Sequence, residues 1–74
     1  MIVIKPGIYR HYKNKEYRVI AVGKHSETLE DFVLYEALYD NTLSHFWIRP
    51  LSMFADMVTV DGKEVSRFEF LRDS

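Results

Sequence analysis

The side chains able to do chemistry fall in three short stretches: His25, Ser26, Glu27 and Thr28 ("HSET"), Trp47 and Arg49 in "WIRP", and Tyr9 and His11 in "GIYRHY". His25, Ser26 and Glu27 are the residue types of a hydrolytic triad, in which a hydroxyl attacks, an imidazole takes its proton and a carboxylate orients the imidazole. Consecutive residues cannot form that relay, because neighbouring side chains diverge from the backbone. The chain also lacks a Gly-x-Ser-x-Gly elbow to expose a nucleophile, so no catalytic residue is assigned. His25 and Glu27 can share one side of an extended segment, but a structural metal site takes four ligands at recognisable spacing. Neither metal nor cofactor is expected. Trp47 and Arg49 supply an amphipathic ring and a planar fork suited to carboxylate or phosphate, and Tyr9, Tyr17, Tyr35 and Tyr39 add further rings. These are the parts of a recognition surface rather than of an enzyme.

Each of these residues also has a purely structural reading. Ser26, Thr28 and Asp31 are of the types that bond backbone donors in turns, which leaves His25 and Glu27 as the members of the polar cluster with the stronger functional case. In so short a chain most aromatic rings must serve as core. His45, beside Ser44, reads as plain surface.

The elements that must position these groups are strands. "GIYRHY" and "EYRVIAVG" are aromatic and β-branched runs separated by "KNK", whose Asn14 tolerates the left-handed conformation of a tight turn. A turn centred on Asn14 sets Tyr12 opposite Glu16 and Tyr9 opposite Val19, and places Tyr9, His11, Tyr17, Val19 and Ala21 on one face. Phe32 to Tyr39 is apolar on both faces, which predicts a central strand. His45 to Arg49 follows, with Trp47 and Arg49 opposed to Phe46 and Ile48, and Pro50 ends it. "PLSMFAD" suits a single helical or 3₁₀ turn; Met57 to Val65 is a hairpin about Asp61-Gly62; "RFEFL" is a last strand. The expected fold is all-β: a small antiparallel SH3-like barrel of five or six short strands with one helical or 3₁₀ turn. If the third strand lies between the second and fourth, "HSET" comes close to Arg49, with Tyr9 and His11 at the rim of a shared pocket.

Composition narrows the setting. Seventy-four residues, 47% of them hydrophobic, make one domain over residues 1–74 with one core. The absence of cysteine removes disulfides and thiolate metal sites and suits a reducing cytoplasm. No stretch approaches the ~20 apolar residues of a spanning helix, so no membrane partner is expected. Net charge is only -1, yet Lys5, Arg10, Lys13, Lys15, Arg18 and Lys24 crowd the first third, whereas Glu27, Glu30, Asp31, Glu36 and Asp40 follow without a Lys or Arg among them. Such segments can face each other within one small domain, a reading preferred here over a polyanion site.

The ordered set "GIYRHYKNKEYRVI", "HSETLEDFVLYEALY", "WIRPLSMF" and "RFEF" resembles the small bacterial family of uncharacterised proteins catalogued as domain of unknown function 1653. The family pattern is met at Gly7, Tyr9, His11, Tyr12, His25 to Thr28, Leu38, Tyr39, Trp47, Arg49, Pro50, Met53, Phe54, Arg67 and Phe68, with Ile48 where Val is common. The resemblance covers nearly the whole chain and implies a small SH3-like barrel but no activity. The reading is a non-enzymatic binding module, recognising a peptide or small polar ligand through Tyr9, His11, His25, Ser26, Glu27, Thr28, Trp47 and Arg49. The alternative is single-stranded nucleic-acid binding, with Lys13, Lys15 and Arg18 on phosphates and Tyr9 or Tyr17 stacking. A small hydrolase using His25 or Glu27 as acid or base comes third.

Overall fold

The computed structural model describes residues 4–74. Seven strands and one helical turn follow in the order β1 (Gly7–His11), β2 (Glu16–Lys24), β3 (Asp31–Ala37), β4 (Phe46–Pro50), α1 (Leu51–Phe54), β5 (Met57–Val60), β6 (Lys63–Ser66) and β7 (Phe68–Arg72). The five-stranded sheet runs β4-β3-β2-β1-β7, and β5-β6 forms a separate two-stranded hairpin. All pairings are antiparallel. The all-β class and the single helical turn are as expected, but the edges β4 and β7 are not hydrogen-bonded to each other and the sheet is not closed into a barrel. No helix of the described residues is long and apolar enough to cross a membrane.

The sheet nevertheless curls. β3 and β7 stand three strands apart, about 14 Å along a flat sheet, yet the Tyr35 and Phe68 rings meet at 5.6 Å between centroids. The concave face so formed holds the core of Tyr9, Val19, Val33, Tyr35, Phe54 and Phe68. α1 brings Phe54 into it, stacked on Phe68 at 4.0 Å and 6°. Pro50 starts this turn with φ -53, and the Ala55 amide closes it on the Leu51 carbonyl.

Local turn chemistry explains the register. The Asn14 amide donates to the His11 carbonyl and the His11 amide to the Lys15 carbonyl, while Asn14 takes φ 72. This three-residue connection, a turn followed by a left-handed residue, moves the pairing by two residues from expectation, so Tyr9 faces Tyr17 and Gly7 faces Val19. A two-residue shift preserves the faces. A bulge at Ile20 does not: Val19 pairs with Tyr35 but Ala21 pairs with Leu34, so Ala21 leaves the face it was expected to share with Val19. Asp61 (φ 51) and Gly62 (φ 77) make the expected two-residue turn between β5 and β6.

β3 is central, as its two apolar faces require. Val33, Tyr35 and Ala37 are buried on the concave side, while Phe32, Leu34 and Glu36 are half-buried on the convex side. The basic and acidic segments do face each other: Arg18 of β2 bonds Glu36 of β3 at 2.6 Å, and Lys24 bonds Asp31 at 2.8 Å. On the same convex face His45 contacts Glu36 at 2.7 Å. Burial alone would raise the pKa of Glu36, but the hydrogen bonds from Arg18 and His45 outweigh it and hold the carboxyl below its ordinary range.

Candidate functional site

The expected pocket is divided between two faces. Arg49 pairs with Val33, which is fully buried, and therefore projects to the concave side with Trp47 and its partner Tyr35. "HSET" lies on the other side: the His25 ring rests on Phe32 at 5.8 Å, and beside it Phe32, Leu34 and Ile48 line a shallow groove. The juxtaposition of His25 to Thr28 with Arg49 is therefore not made. β3 does lie between β2 and β4, but a loop at the end of two paired strands can fold over either face, and here it folds over the convex one.

The hydrogen bonding of the loop makes it a turn. His25 Nδ1 accepts from the Glu27 and Thr28 amides at 3.1 and 3.3 Å, and Thr28 Oγ1 accepts from the Glu30 amide at 3.2 Å. Leu29, at φ 64, donates its amide to the His25 carbonyl. His25, read as the member with a functional case, is thus the residue that builds the turn, while Asp31 is engaged by Lys24. Among the described residues Ser26 and Glu27 make no side-chain hydrogen bond within the chain. No group of three or more His, Asp or Glu among the described residues is arranged to hold a metal ion.

Tyr9 is core rather than rim. It is 5% exposed, its ring packs edge-on against Phe54 and Phe70, and its hydroxyl donates to the Lys5 carbonyl at 2.9 Å. It cannot stack a nucleic-acid base without unfolding the domain. His11 ends β1 as His25 follows β2: its Nδ1 accepts from the Lys13 amide at 3.1 Å, which leaves the proton of the neutral ring on Nε2. The ring sits edge-on to Phe68 at 4.9 Å. Burial first, then the charges of Arg49, Arg67 and Lys13, push its pKa below the ordinary value.

What the concave face does bring together is Trp47, Arg49, Tyr17, Tyr35 and Tyr39, around a hollow of about 480 Å³ completed by residues 40–43. The Tyr17 and Tyr39 hydroxyls are 2.6 Å apart. Burial, then the bond to Tyr39, raises the Tyr17 pKa well above the ordinary tyrosine value. Arg49 Nε reaches the Tyr35 hydroxyl at 3.4 Å, and its guanidinium lies 5.7 Å over the Phe68 ring. Trp47 Nε1 is buried without an acceptor. Arg10, Arg18, Arg67 and Arg72 each have a carboxylate partner; among the described residues Arg49 alone of the arginines has none. The roles of Tyr17, Tyr35 and Tyr39 in this hollow were legible only as ring chemistry, because their meeting depends on the curl of the sheet.

A second hollow of about 490 Å³ opens between β1 and the β5-β6 hairpin, but its arginine, Arg10, is already bound to Glu69 at 3.1 Å. The convex and hairpin sides thus have their arginines neutralised, and the concave hollow does not.

A family model described as a protein of unknown function (DUF1653) matches residues 7–70. Among solved structures, the crystal structure of a protein belonging to DUF1653 from Bordetella bronchiseptica is similar, with 28% identity and a TM-score of 0.90 over 96% of this chain and 91% of that one. No curated protein matches.

Proposed function

Since the chain belongs to the DUF1653 family, whose description assigns no activity, we propose its function from the concave face: it is a non-enzymatic binding module that holds a small polar ligand or peptide against Trp47 and Arg49. The observation that carries this reading is the unpaired Arg49. A guanidinium is charged at every accessible pH and presents five donors, and a half-buried one is normally matched by a carboxylate. Arg49 has only a long bond to a tyrosine hydroxyl. The aromatic walls supply area to hold an occupant, and the few polar groups fix its orientation, as in small-ligand sites generally. "HSET" is assigned a structural role in this reading, as the turn that starts β3.

The test is a screen of short peptides and small polar compounds by amide and indole NMR. Ligands should shift the Trp47 indole and the amides of β3 and β4, and Arg49→Met should abolish the response while the spectrum stays dispersed. Hits that map instead to His25–Thr28, or that survive Arg49→Met unchanged, sink the proposal.

One observation favours a second reading. Lys13 and Lys15 have no carboxylate partner among the described residues, and Lys15 Nζ lies 5.0 Å over Tyr39, a wall of the same hollow. Single-stranded nucleic acid running along this rim predicts retention that falls steeply with salt. Flat salt dependence, or no retention at low salt, disposes of it.

A further inference from the structure

We propose that the Trp47–Arg49 hollow is an oxyanion site, in which the fork of Arg49 takes a carboxylate or phosphate group and the apolar remainder of the ligand lies against Tyr17, Tyr39 and Trp47. This deepens the binding-module reading and rests on it.

Three observations converge on that chemistry. The first is vacancy of donors: beyond the long Nε contact to Tyr35, the guanidinium makes no hydrogen bond, whereas the other four arginines have carboxylate oxygens at 2.6 to 3.5 Å. Planar two-point recognition of a carboxylate or phosphate is what such a fork does best. The second is fixed placement. Arg49 stands on β4 opposite fully buried Val33, and its head lies over Phe68, itself stacked on Phe54. A head held in this way loses little freedom when an anion docks. The third is a spare hydroxyl proton. Of two hydroxyls 2.6 Å apart only one hydrogen lies between them, so the accepting member of the Tyr17–Tyr39 pair has its own hydrogen free to donate.

The local field agrees. Arg49, Arg67 and Lys13 act together on His11, which shares the Phe68 ring with Arg49. Arg67 is bonded to Asp56 at 2.7 Å, and Asp40 stands on the rim of the hollow; these are the acids set against it. His11 faces Tyr12 and Lys13 from its own turn, Tyr17 from β2, Phe68 from β7, Arg67 just before it and Arg49 from β4. An anion on Arg49 offsets one of the cations that disfavour imidazolium. The proton affinity of His11 then rises on binding, and by linkage the anion binds more tightly as pH falls through the titration of His11.

The experiment uses the full chain with three probes that share a phenyl ring: phenyl phosphate, benzoate and its neutral isostere benzamide, each at matched ionic strength against sodium chloride. The Trp47 indole, the Arg49 Nε–H and the His11 ring are followed by NMR. The expected result is saturable shifts with at least one anion, benzamide weaker by on the order of tenfold, a similar loss in Arg49→Met, and an upward move of the His11 titration on saturation. The anion that saturates at the lower concentration distinguishes phosphate from carboxylate. Benzamide binding as tightly as the anions overturns the oxyanion site but leaves the binding module standing. Anion shifts that never saturate, or that chloride reproduces, also overturn it. Silence of the Trp47 indole to all three probes overturns both. The comparison of benzoate with benzamide needs no variant, so misfolding of Arg49→Met does not remove the test.

Discussion

Replacing glycine by alanine at three positions separates the backbone from the steric cost of a side chain. Gly7 has φ 154, and a Cβ there would lie 2.7 Å from Phe70 Cε1 and 2.8 Å from the Arg72 carbonyl oxygen. The Phe70 ring cannot simply swing away, because it packs edge-on against Tyr9 at 5.3 Å and lies 4.1 Å below Lys5 Nζ. The carbonyl belongs to β7, which is paired to β1, so relief requires the whole strand to shift. A sparsely populated backbone conformation costs about 1–3 kcal/mol and overpacking a further 1–3 kcal/mol or so, a total of about 2–6 kcal/mol. A domain of this length has roughly 4–11 kcal/mol of stability, so Gly7→Ala removes much of it. Gly62 has φ 77 but open space around its Cβ, so its substitution should cost only the backbone part, about 1–2 kcal/mol. Gly23 has neither constraint and should change by less than about 1 kcal/mol in either direction. Urea unfolding of the three variants measures the series. Equal losses at Gly7 and Gly62 would refute the claim that β7 closes on β1 at this point. That contact also bears on the proposed site, because β7 carries the Phe68 ring beneath Arg49.

Other consequences follow from the same contacts. His25→Ala removes the acceptor for two amides in the turn before β3 and should destabilise by about 1 kcal/mol, most of it restored in His25→Asn, whose side-chain oxygen can take the same amides; a restoration by glutamine but not asparagine would contradict the geometry. Glu36 has a folded pKa below its unfolded value, so its contribution is fully present above the unfolded pKa and is lost as pH falls through the folded one. The urea midpoint of the parent should therefore fall more steeply than that of Glu36→Gln on the acid side, and parallel profiles would refute the pairing with Arg18 and His45. His11 has the opposite chemistry but the same direction. With its folded pKa depressed, the neutral ring is compatible with the fold, and stability declines as pH drops from above the unfolded value through the folded one; His11→Gln should remove that part of the profile. Amides of β5 and β6, whose residues are mostly exposed, should exchange with solvent well before those of β3, which is paired on both sides. Comparable protection in the two would show that the hairpin unfolds only with the sheet.

The hairpin turns, the strand count to within one or two, and the two-sidedness of each strand follow from local chemistry. Asn14 and Asp61-Gly62 adopt the left-handed conformations their types allow, and Trp47 and Arg49 oppose Phe46 and Ile48 because strand side chains alternate. The resemblance carried by "GIYRHY", "HSET", "WIRP" and "RFEF" was legible for the same reason, since it depends on residue order alone. The site was less legible. A single extra residue at Ile20 reverses the alternation along β2, and nothing in "EYRVIAVG" announces it. The sequence favours a functional role for the His25 side chain and a turn role for Ser26, Thr28 and Asp31, whereas the amides of Glu27 and Thr28 point at His25 and make it the turn builder. Where no bulge intervenes, as in β3 and β4, sequence alone thus determined which residues lie on a common strand face, a property of a few consecutive dihedral angles. Only the tertiary structure decided that Arg49 meets Phe68 and the tyrosines rather than "HSET", and that it meets no carboxylate, because the curl bringing β7 over β3 is set by contacts between residues distant in the chain, Phe68 with Tyr35 and with Arg49.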